Sequence, residues 1–336
     1  MSDQLFKIEI SPSTLSIITT YQCTAACADC CFECSPSITK SLSYAEMSQF
    51  IDDAIQEHPS IRLVVFTGGE CFMLKDKLFS LITKCTQLGL ATRCVTNGYW
   101  AKRPEKAMEY AQKLKQAGVN EINLSTGLDH QQWVSENTIV NAVTALVSQS
   151  IFTLVTLETD TQTSDCFESF HTNPKIKQLQ GNNLFELRVN SWMSFHETSE
   201  ERALVTQVNG LEKGCDNLFD VMVATPDKEI TACCGLTVSH IHEMKLSHIQ
   251  DIGSYKREQE YDFLKLWIKI DGPYNILKKL IGDRHERLDK ITHPCQACAI
   301  IHNEPDMRAR LIEIYPDNIV RVLNTYHLIK ATQEYL

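Results

Sequence analysis

The chain has 336 residues, 43% of them apolar and 22% charged, a balance that suits a folded globular protein and excludes a disordered one. No apolar run approaches the roughly 20 residues a membrane span needs, and MSDQLFKIEI lacks a basic stretch followed by an apolar core, so no export signal and a cytoplasmic location are expected. The 32 Lys and Arg against 42 Asp and Glu give a formal charge of −10, which disfavours a nucleic-acid partner because phosphate backbones are repelled.

The first 190 residues alternate strand and helix signals. Leu15–Thr20 reads as a short β-branched strand running into a cysteine cluster. Ser43 and Glu46 form a capping box, and the helix they open stops before Pro59. Ile61–Thr67 is a nearly continuous apolar run, as in a strand buried on both faces. A helix over Lys77–Leu88 ends at Gly89, and Ala91–Thr96 is the next strand. Pro104 opens a helix that closes at Gly118. Glu121–Ser125 is a strand, and the helix after Asp129 runs to about Ser150. Phe152–Thr159 and Phe185–Asn190 complete six strands. Such repetition implies right-handed crossovers and a parallel α/β sheet, and six units suit a partial (β/α)6 barrel better than a closed eight-fold one. After about Ser194 the pattern changes. Phe219–Ala224 and Glu229–Ala232 flank the turn Thr225-Pro226-Asp227 as a hairpin, a helical stretch from Glu258 is interrupted at Asp271-Gly272-Pro273, and a helical tail follows Cys295-Gln-Ala-Cys298. The expected division is a barrel over 13–194, a small region over 195–303 and a tail over 304–336.

Fourteen cysteines are the unusual feature, five of them within residues 23–34. In a reducing compartment such clustering reads as metal binding or catalysis rather than disulfides. Cys23-x3-Cys27-x2-Cys30 follows the first strand, at the end of a parallel sheet where ligands bind. Three thiolates can each hold one iron of a cubane, which normally takes four Cys; three leave one corner open to a small molecule. A zinc knuckle is the alternative, although such sites usually close with a fourth ligand at regular spacing. Gly68-Gly69-Glu70 ends the second strand, where glycines let backbone approach a ligand and Glu70 can accept from an ammonium. Thr96, Asn97 and Ser125 also fall at strand ends. Near the C-terminus Cys295-x2-Cys298 is a metal-gripping clip, and the hairpin brings Cys215 near Cys233-Cys234. Four thiolates from three segments would close a second site, for a cluster or for zinc. Adjacent strand residues point to opposite faces, so one of Cys233 and Cys234 is spare. Cys31 and Cys34 are possible substitutes for a lost neighbour, Cys71 follows Glu70, and Cys85, Cys94 and Cys166 read as packing residues.

The Cys23-Cys27-Cys30 and Gly68-Gly69-Glu70 motifs together resemble the radical S-adenosylmethionine (radical SAM) superfamily. The resemblance implies that the three Cys hold a [4Fe–4S] cluster, that its open iron binds S-adenosylmethionine near Gly68, Gly69, Glu70, Thr96, Asn97 and Ser125, and that the fold is a partial barrel. One departure is Asp29, where many members carry an aromatic against the adenine; Phe32 is a nearby alternative. CTAACADCCFECSPSIT, VFTGGECF, TNGYW, the ACC at the hairpin end and CQAC resemble, more narrowly, the short epipeptide-type peptide epimerases. That likeness implies an auxiliary [4Fe–4S] cluster on Cys215, Cys233, Cys295 and Cys298 in a Twitch- or SPASM-like extension, hydrogen return from Cys234, and an acidic helper whose nearest counterpart is Asp220, one residue further from Cys215 than the pattern expects. It also implies a ribosomal precursor peptide as substrate and a flavodoxin or ferredoxin as electron donor. The alternatives are another radical peptide modification (cross-linking, thioether formation or backbone excision) and a non-catalytic iron–sulfur or zinc sensor.

Overall fold

Nine strands are hydrogen-bonded in the order β6-β5-β4-β3-β2-β1-β7-β8-β9 in the computed structural model of the chain, which describes residues 6–159, 165–191, 193 and 208–333. They are β1 (Thr14–Ile18), β2 (Leu63–Thr67), β3 (Ala91–Thr96), β4 (Glu121–Gly127), β5 (Phe152–Thr159), β6 (Phe185–Ser191), β7 (Val221–Ala224), β8 (Glu229–Thr231) and β9 (Lys245–His248). β1 to β6 run parallel in sequence order, the arrangement that right-handed helical crossovers produce. This is an α/β fold of the partial (β/α)6-barrel class. The expected boundary at 194–195 lies outside the described residues.

The strand pleat sorts side chains onto two faces. Leu15, Ile17, Val64, Phe66, Cys94, Ile122, Leu124 and Val155 face the helices in one buried core. The alternate positions face the lumen. One row of paired positions there reads Val223, Ser16, Val65, Arg93, Glu121 and Phe152, from β7 across to β5. Helices Tyr44–Glu57, Asp76–Gln87, Pro104–Ala117 and Glu136–Ser148 cover the outer face. The first begins at a capping box in which the Ser43 hydroxyl accepts from Glu46 N–H at 3.2 Å and Ser43 N–H donates to Glu46 Oε2 at 2.8 Å. Gly118, at φ 90°, ends the third, in the left-handed geometry glycine adopts at little cost.

The hairpin does not stand apart. β7 runs parallel to β1, so β1 sits between β2 and β7 in a single sheet, and β8 and β9 continue it antiparallel. The helix expected from Asp129 to Ser150 is two helices, Leu128–Gln131 and Glu136–Ser148. The buried Glu158 carboxylate accepts from Asp129 N–H at 2.9 Å and His130 N–H at 2.8 Å, which fixes the first turn against β5 and makes a second start necessary at Ser135. Helices Phe263–Asp271 and Pro273–Ile281 meet at Gly272. The final helix, Pro305–Gln333, docks through Met307, Leu311, Val322 and Tyr326, and Glu9 N–H donates to the Tyr326 hydroxyl at 2.8 Å. Among the described residues no helix is long and apolar enough to cross a membrane.

Removing the Ser43 cap should cost about 1 kcal/mol. Ser43→Ala is expected to lower the urea midpoint with an unchanged m-value, measured on the apoprotein.

Candidate active site

The loop after β1 and the ends of β2, β3 and β4 converge on one pocket. Cys23, Cys27, Cys30, Cys31 and Cys34 line it together with Gly68, Gly69, Thr96, Asn97, Ser125 and His130. All three thiols of the expected trio therefore share one cavity with four of the expected strand-end residues beside Gly68. Phe32 lines it as well.

Main-chain contact holds the two motifs in register. Gly69 N–H donates to Thr20 O at 2.7 Å and Glu70 N–H to Gln22 O at 2.9 Å. A Cβ on Gly68 would fall 2.6 Å from Thr20 O, and one on Gly69 would fall 2.2 Å from Gln22 O. Both lie far inside any contact real side chains make, so only glycine allows this approach.

Glu70 is fully buried behind the pocket wall. It accepts from Thr96 Oγ1 at 2.8 Å, from Asn97 N–H at 2.9 Å and from Phe72 N–H at 3.0 Å. Desolvation outweighs these donors and raises its pKa to about 7. Through Asn97 the carboxylate acts on the cysteine loop: Asn97 Nδ2 donates to Thr24 Oγ1 at 3.0 Å and toward Cys23 Sγ at 3.6 Å, and Ala25 N–H reaches the same sulfur at 3.4 Å. Two N–H groups thus point at Cys23 sulfur, as suits a thiolate. Burial nevertheless raises the Cys23 thiol to about 11 and pushes Cys27 up. Hydrogen bonding with the Cys34 thiol draws Cys30 down to about 6, and Cys34 moves up in return.

His130 and Glu158 belong to this site although the motif pattern did not single them out. Glu158 is only 2% exposed, and beyond the two main-chain N–H groups it holds His130 Nδ1. Burial disfavours protonation of the ring, but the adjacent carboxylate outweighs it and the His130 pKa is raised. The available signal was an acid within the otherwise uncharged strand FTLVTLET.

The second group of cysteines forms around the hairpin. A Cβ on Gly235 would lie 3.2 Å from Cys295 Sγ and 3.5 Å from Cys233 Sγ, so these two sulfurs flank a single point. Cys233 belongs to the main core, against which Cys215 and Cys298 pack. Thr237 Oγ1 donates to Cys295 O at 3.0 Å and fixes the clip to the loop after the hairpin. Burial raises Cys295 to about 11 and pushes Cys233 and Cys298 up. Cys234 has different company. It packs on the cluster of Ile18, Val221 and Val223, together with Tyr21 and Phe32. Burial raises its thiol to about 11, with Cys215 and Cys295 acting in the same direction and the Arg93 charge in the opposite one. Among the described residues no three His, Cys, Asp or Glu side chains converge as a single metal ion would require.

Asp220 sits at the start of β7, where its Oδ2 accepts from the Ser13 hydroxyl at 3.0 Å and its carbonyl accepts from Ser13 and Thr14 N–H. These contacts tie it to the beginning of β1, and Asp220 acts on the buried Tyr255 hydroxyl together with Cys233 and Cys234. Cys71 donates to Val95 O at 3.3 Å; it, Cys85 and Cys94 are fully buried. Cys166 is half-buried, with its thiol 3.5 Å from Gln131 Oε1.

Glu70 sets a pH dependence. Its folded pKa of about 7 lies above the ordinary 4.5, so the folded state holds the proton more tightly and stability falls as pH rises between these values. The loss is roughly 3 kcal/mol across that window. Glu70→Gln is expected to flatten the slope of apoprotein stability between pH 4.5 and 7, measured by denaturant unfolding.

Residues 17–126 match the radical SAM superfamily. A putative peptide biosynthesis protein, YydG of Bacillus subtilis (strain 168), is 26% identical over 128 residues, 38% of this chain and 40% of that one. A GTP 3′,8-cyclase of Nautilia profundicola is 33% identical over 124 residues, 35% of this chain and 36% of that one. The chain thus aligns with about two fifths of the length of these curated relatives. Among solved structures, native anSMEcpe with bound AdoMet and the Cp18Cys peptide superposes with a TM-score of 0.53 at 14% identity, covering 95% of this chain and 99% of that one. A hexahistidine-tagged anSMEcpe with bound AdoMet gives 0.57 at 15% identity, covering 94% and 99%. Identities this low speak to the fold alone. The segment 17–126, in which a strand-end loop gathers Cys23, Cys27 and Cys30 against Gly68 and Gly69, is thus of the radical SAM superfamily type.

Proposed function

We propose that the protein is a radical SAM enzyme that epimerises residues of a ribosomally made peptide. That superfamily type implies a [4Fe–4S] cluster and S-adenosylmethionine, and the residues fit them. Cys23, Cys27 and Cys30 would hold the cluster, with N–H donors already aimed at Cys23 sulfur. The uncharged main chain of Gly68-Gly69 together with Ser125 and Asn97 would line the cofactor's place in the same pocket. Bound there, the pair supplies one-electron cleavage to a carbon radical able to take an α-hydrogen from an amino-acid residue.

The observation that carries the reading is the divergence of the two adjacent hairpin cysteines. Cys233 faces the core beside Cys295, across Gly235, and with Cys215, Cys295 and Cys298 it would hold an auxiliary [4Fe–4S] cluster. Cys234 packs on Ile18, Val221 and Val223 with Phe32, a ring that also lines the first pocket. A spare S–H on that side suits return of a hydrogen atom to an α-carbon from the face opposite the first abstraction. Return from the opposite face inverts the centre, so orientation decides the product. YydG, described as a putative peptide biosynthesis protein, supports a peptide as substrate. A flavodoxin or ferredoxin would supply one electron for the cleavage and a second which, with a proton from solvent, restores the Cys234 thiol from the thiyl radical that hydrogen return leaves.

In D2O each modified residue should gain one deuterium, read by mass spectrometry. Cys234→Ala should abolish that label while S-adenosylmethionine is still consumed; full labelling by the variant would defeat the assignment. Anaerobic iron analysis gives an independent check. Wild type should carry about eight irons, and the Cys23/Cys27/Cys30 triple Ala variant about four, assuming loaded cubanes.

A further inference from the structure

The lumen holds an ion pair with no part in the chemistry described so far. Arg93 on β3 and Glu121 on β4 are direct register partners. Arg93 Nη2 donates to Glu121 Oε2 at 2.8 Å, and Nε lies 2.8 Å from Oε1 as an ion pair without hydrogen-bond alignment. The Arg93 side chain is 37% exposed and that of Glu121 is 16% exposed, so the pair faces the open lumen rather than the core. Nη1 has no hydrogen-bond partner among the described residues. Its neighbours in the row, Val65, Ser16 and Val223 on one side and Phe152 on the other, are uncharged, and the row ends beyond Thr231 at Lys245. An ion pair in a largely apolar wall stabilises a fold little and often less than apolar side chains would.

We propose that Arg93, held by Glu121, is the substrate-binding clamp of the lumen, donating its outer N–H groups to main-chain carbonyl oxygens of the peptide. The inference rests on the reading that the lumen takes a peptide. Three features fix the class of acceptor. The guanidinium charge is already answered by Glu121, so the outer donors suit a neutral oxygen rather than a second carboxylate. The two outer nitrogens lie in one rigid plane, which favours oxygens fixed along a backbone. The level is also right. Arg93 precedes Thr96 by three residues, about 10 Å along the strand, which puts it below the cysteine pocket. Val223, in the same row, is one of the three residues on which Cys234 packs. Arg93 also acts electrostatically on the Cys234 thiol, so a backbone held at Arg93 would pass near the hydrogen donor as well as below the cysteine pocket.

The test uses the reconstituted holoenzyme and a synthetic pool of randomised dodecapeptides. A sequence retained by wild type is resynthesised with a fluorescent label, and its Kd is measured by anisotropy. Arg93→Gln is expected to weaken binding roughly tenfold. Arg93→Lys keeps the charge but lacks the fork and should lose roughly threefold. Iron content and melting temperature report whether each variant folds. An unchanged Kd for folded Arg93→Gln overturns the proposal; should that variant misfold, an unchanged Kd for folded Arg93→Lys does so. Retention of no peptide by wild type overturns it as well. Product analysis of the same peptide keeps the two readings separate: a changed mass in H2O would remove epimerisation while leaving the affinity ratios to judge the clamp.

Discussion

Two main-chain hydrogen bonds, from Gly69 to Thr20 and from Glu70 to Gln22, hold the site together. They lay the end of β2 along the segment that leads into Cys23, so the cysteine loop does not depend on its own side chains for position. The contact is backbone against backbone, and a single methyl at either glycine would collide with a carbonyl oxygen. From this contact the order spreads outward. Glu70 turns into the core and takes the N–H of Asn97, and Asn97 in turn reaches Thr24 and Cys23 sulfur. Three strand ends are thereby tied to one thiol. A buried carboxylate is expensive, and here three donors on neighbouring elements offset only part of that cost while Glu70 orients them.

β1 links the two groups of cysteines. It is flanked by β2 on one side and by β7 on the other, parallel to both. The hairpin that brings Cys233 and Cys234 is therefore an extension of the barrel sheet, and its position relative to the pocket is set by strand register. Phe32 contributes to the packing on both sides: it lines the pocket and packs on the Ile18, Val221 and Val223 cluster that Cys234 also meets. The two adjacent cysteines consequently have different chemistry open to them. Cys233 lies in the main core beside Cys295, whereas Cys234, also buried and within electrostatic reach of Cys215 and Cys295, packs on the apolar cluster of Ile18, Val221 and Val223.

Among the described residues, three charged pairs lie on the lumen side of the strands or at their ends. Arg93 is matched to Glu121, Arg188 to Glu186, and His130 to Glu158. Such pairing leaves directional N–H donors whose charge is locally balanced.

Much of the architecture was legible in residue patterns. The capping box at Ser43 and Glu46, the apolar run before Gly68, the stop at Gly118 and the bounds of Ala91–Thr96 and Phe152–Thr159 are local properties, set by backbone preference and side-chain periodicity, and the structure reproduces them. So is the spacing of Cys23, Cys27 and Cys30, because a short loop cannot carry its thiols far apart. Long-range pairing was not legible in this way. Nothing near β7 says that it joins β1, nothing near Glu158 says that it will hold His130, and Arg93 looks like any charged residue at a strand position until β4 sets Glu121 beside it. The expected helix across Asp129–Ser150 was broken for the same reason, by a carboxylate some thirty residues away. The amino-acid sequence alone therefore determined which elements form and which thiols travel together, since those follow from neighbours along the chain. Only the tertiary structure decided which face each side chain presents and what it meets there, since sheet register between distant strands is chosen by the burial of the whole core.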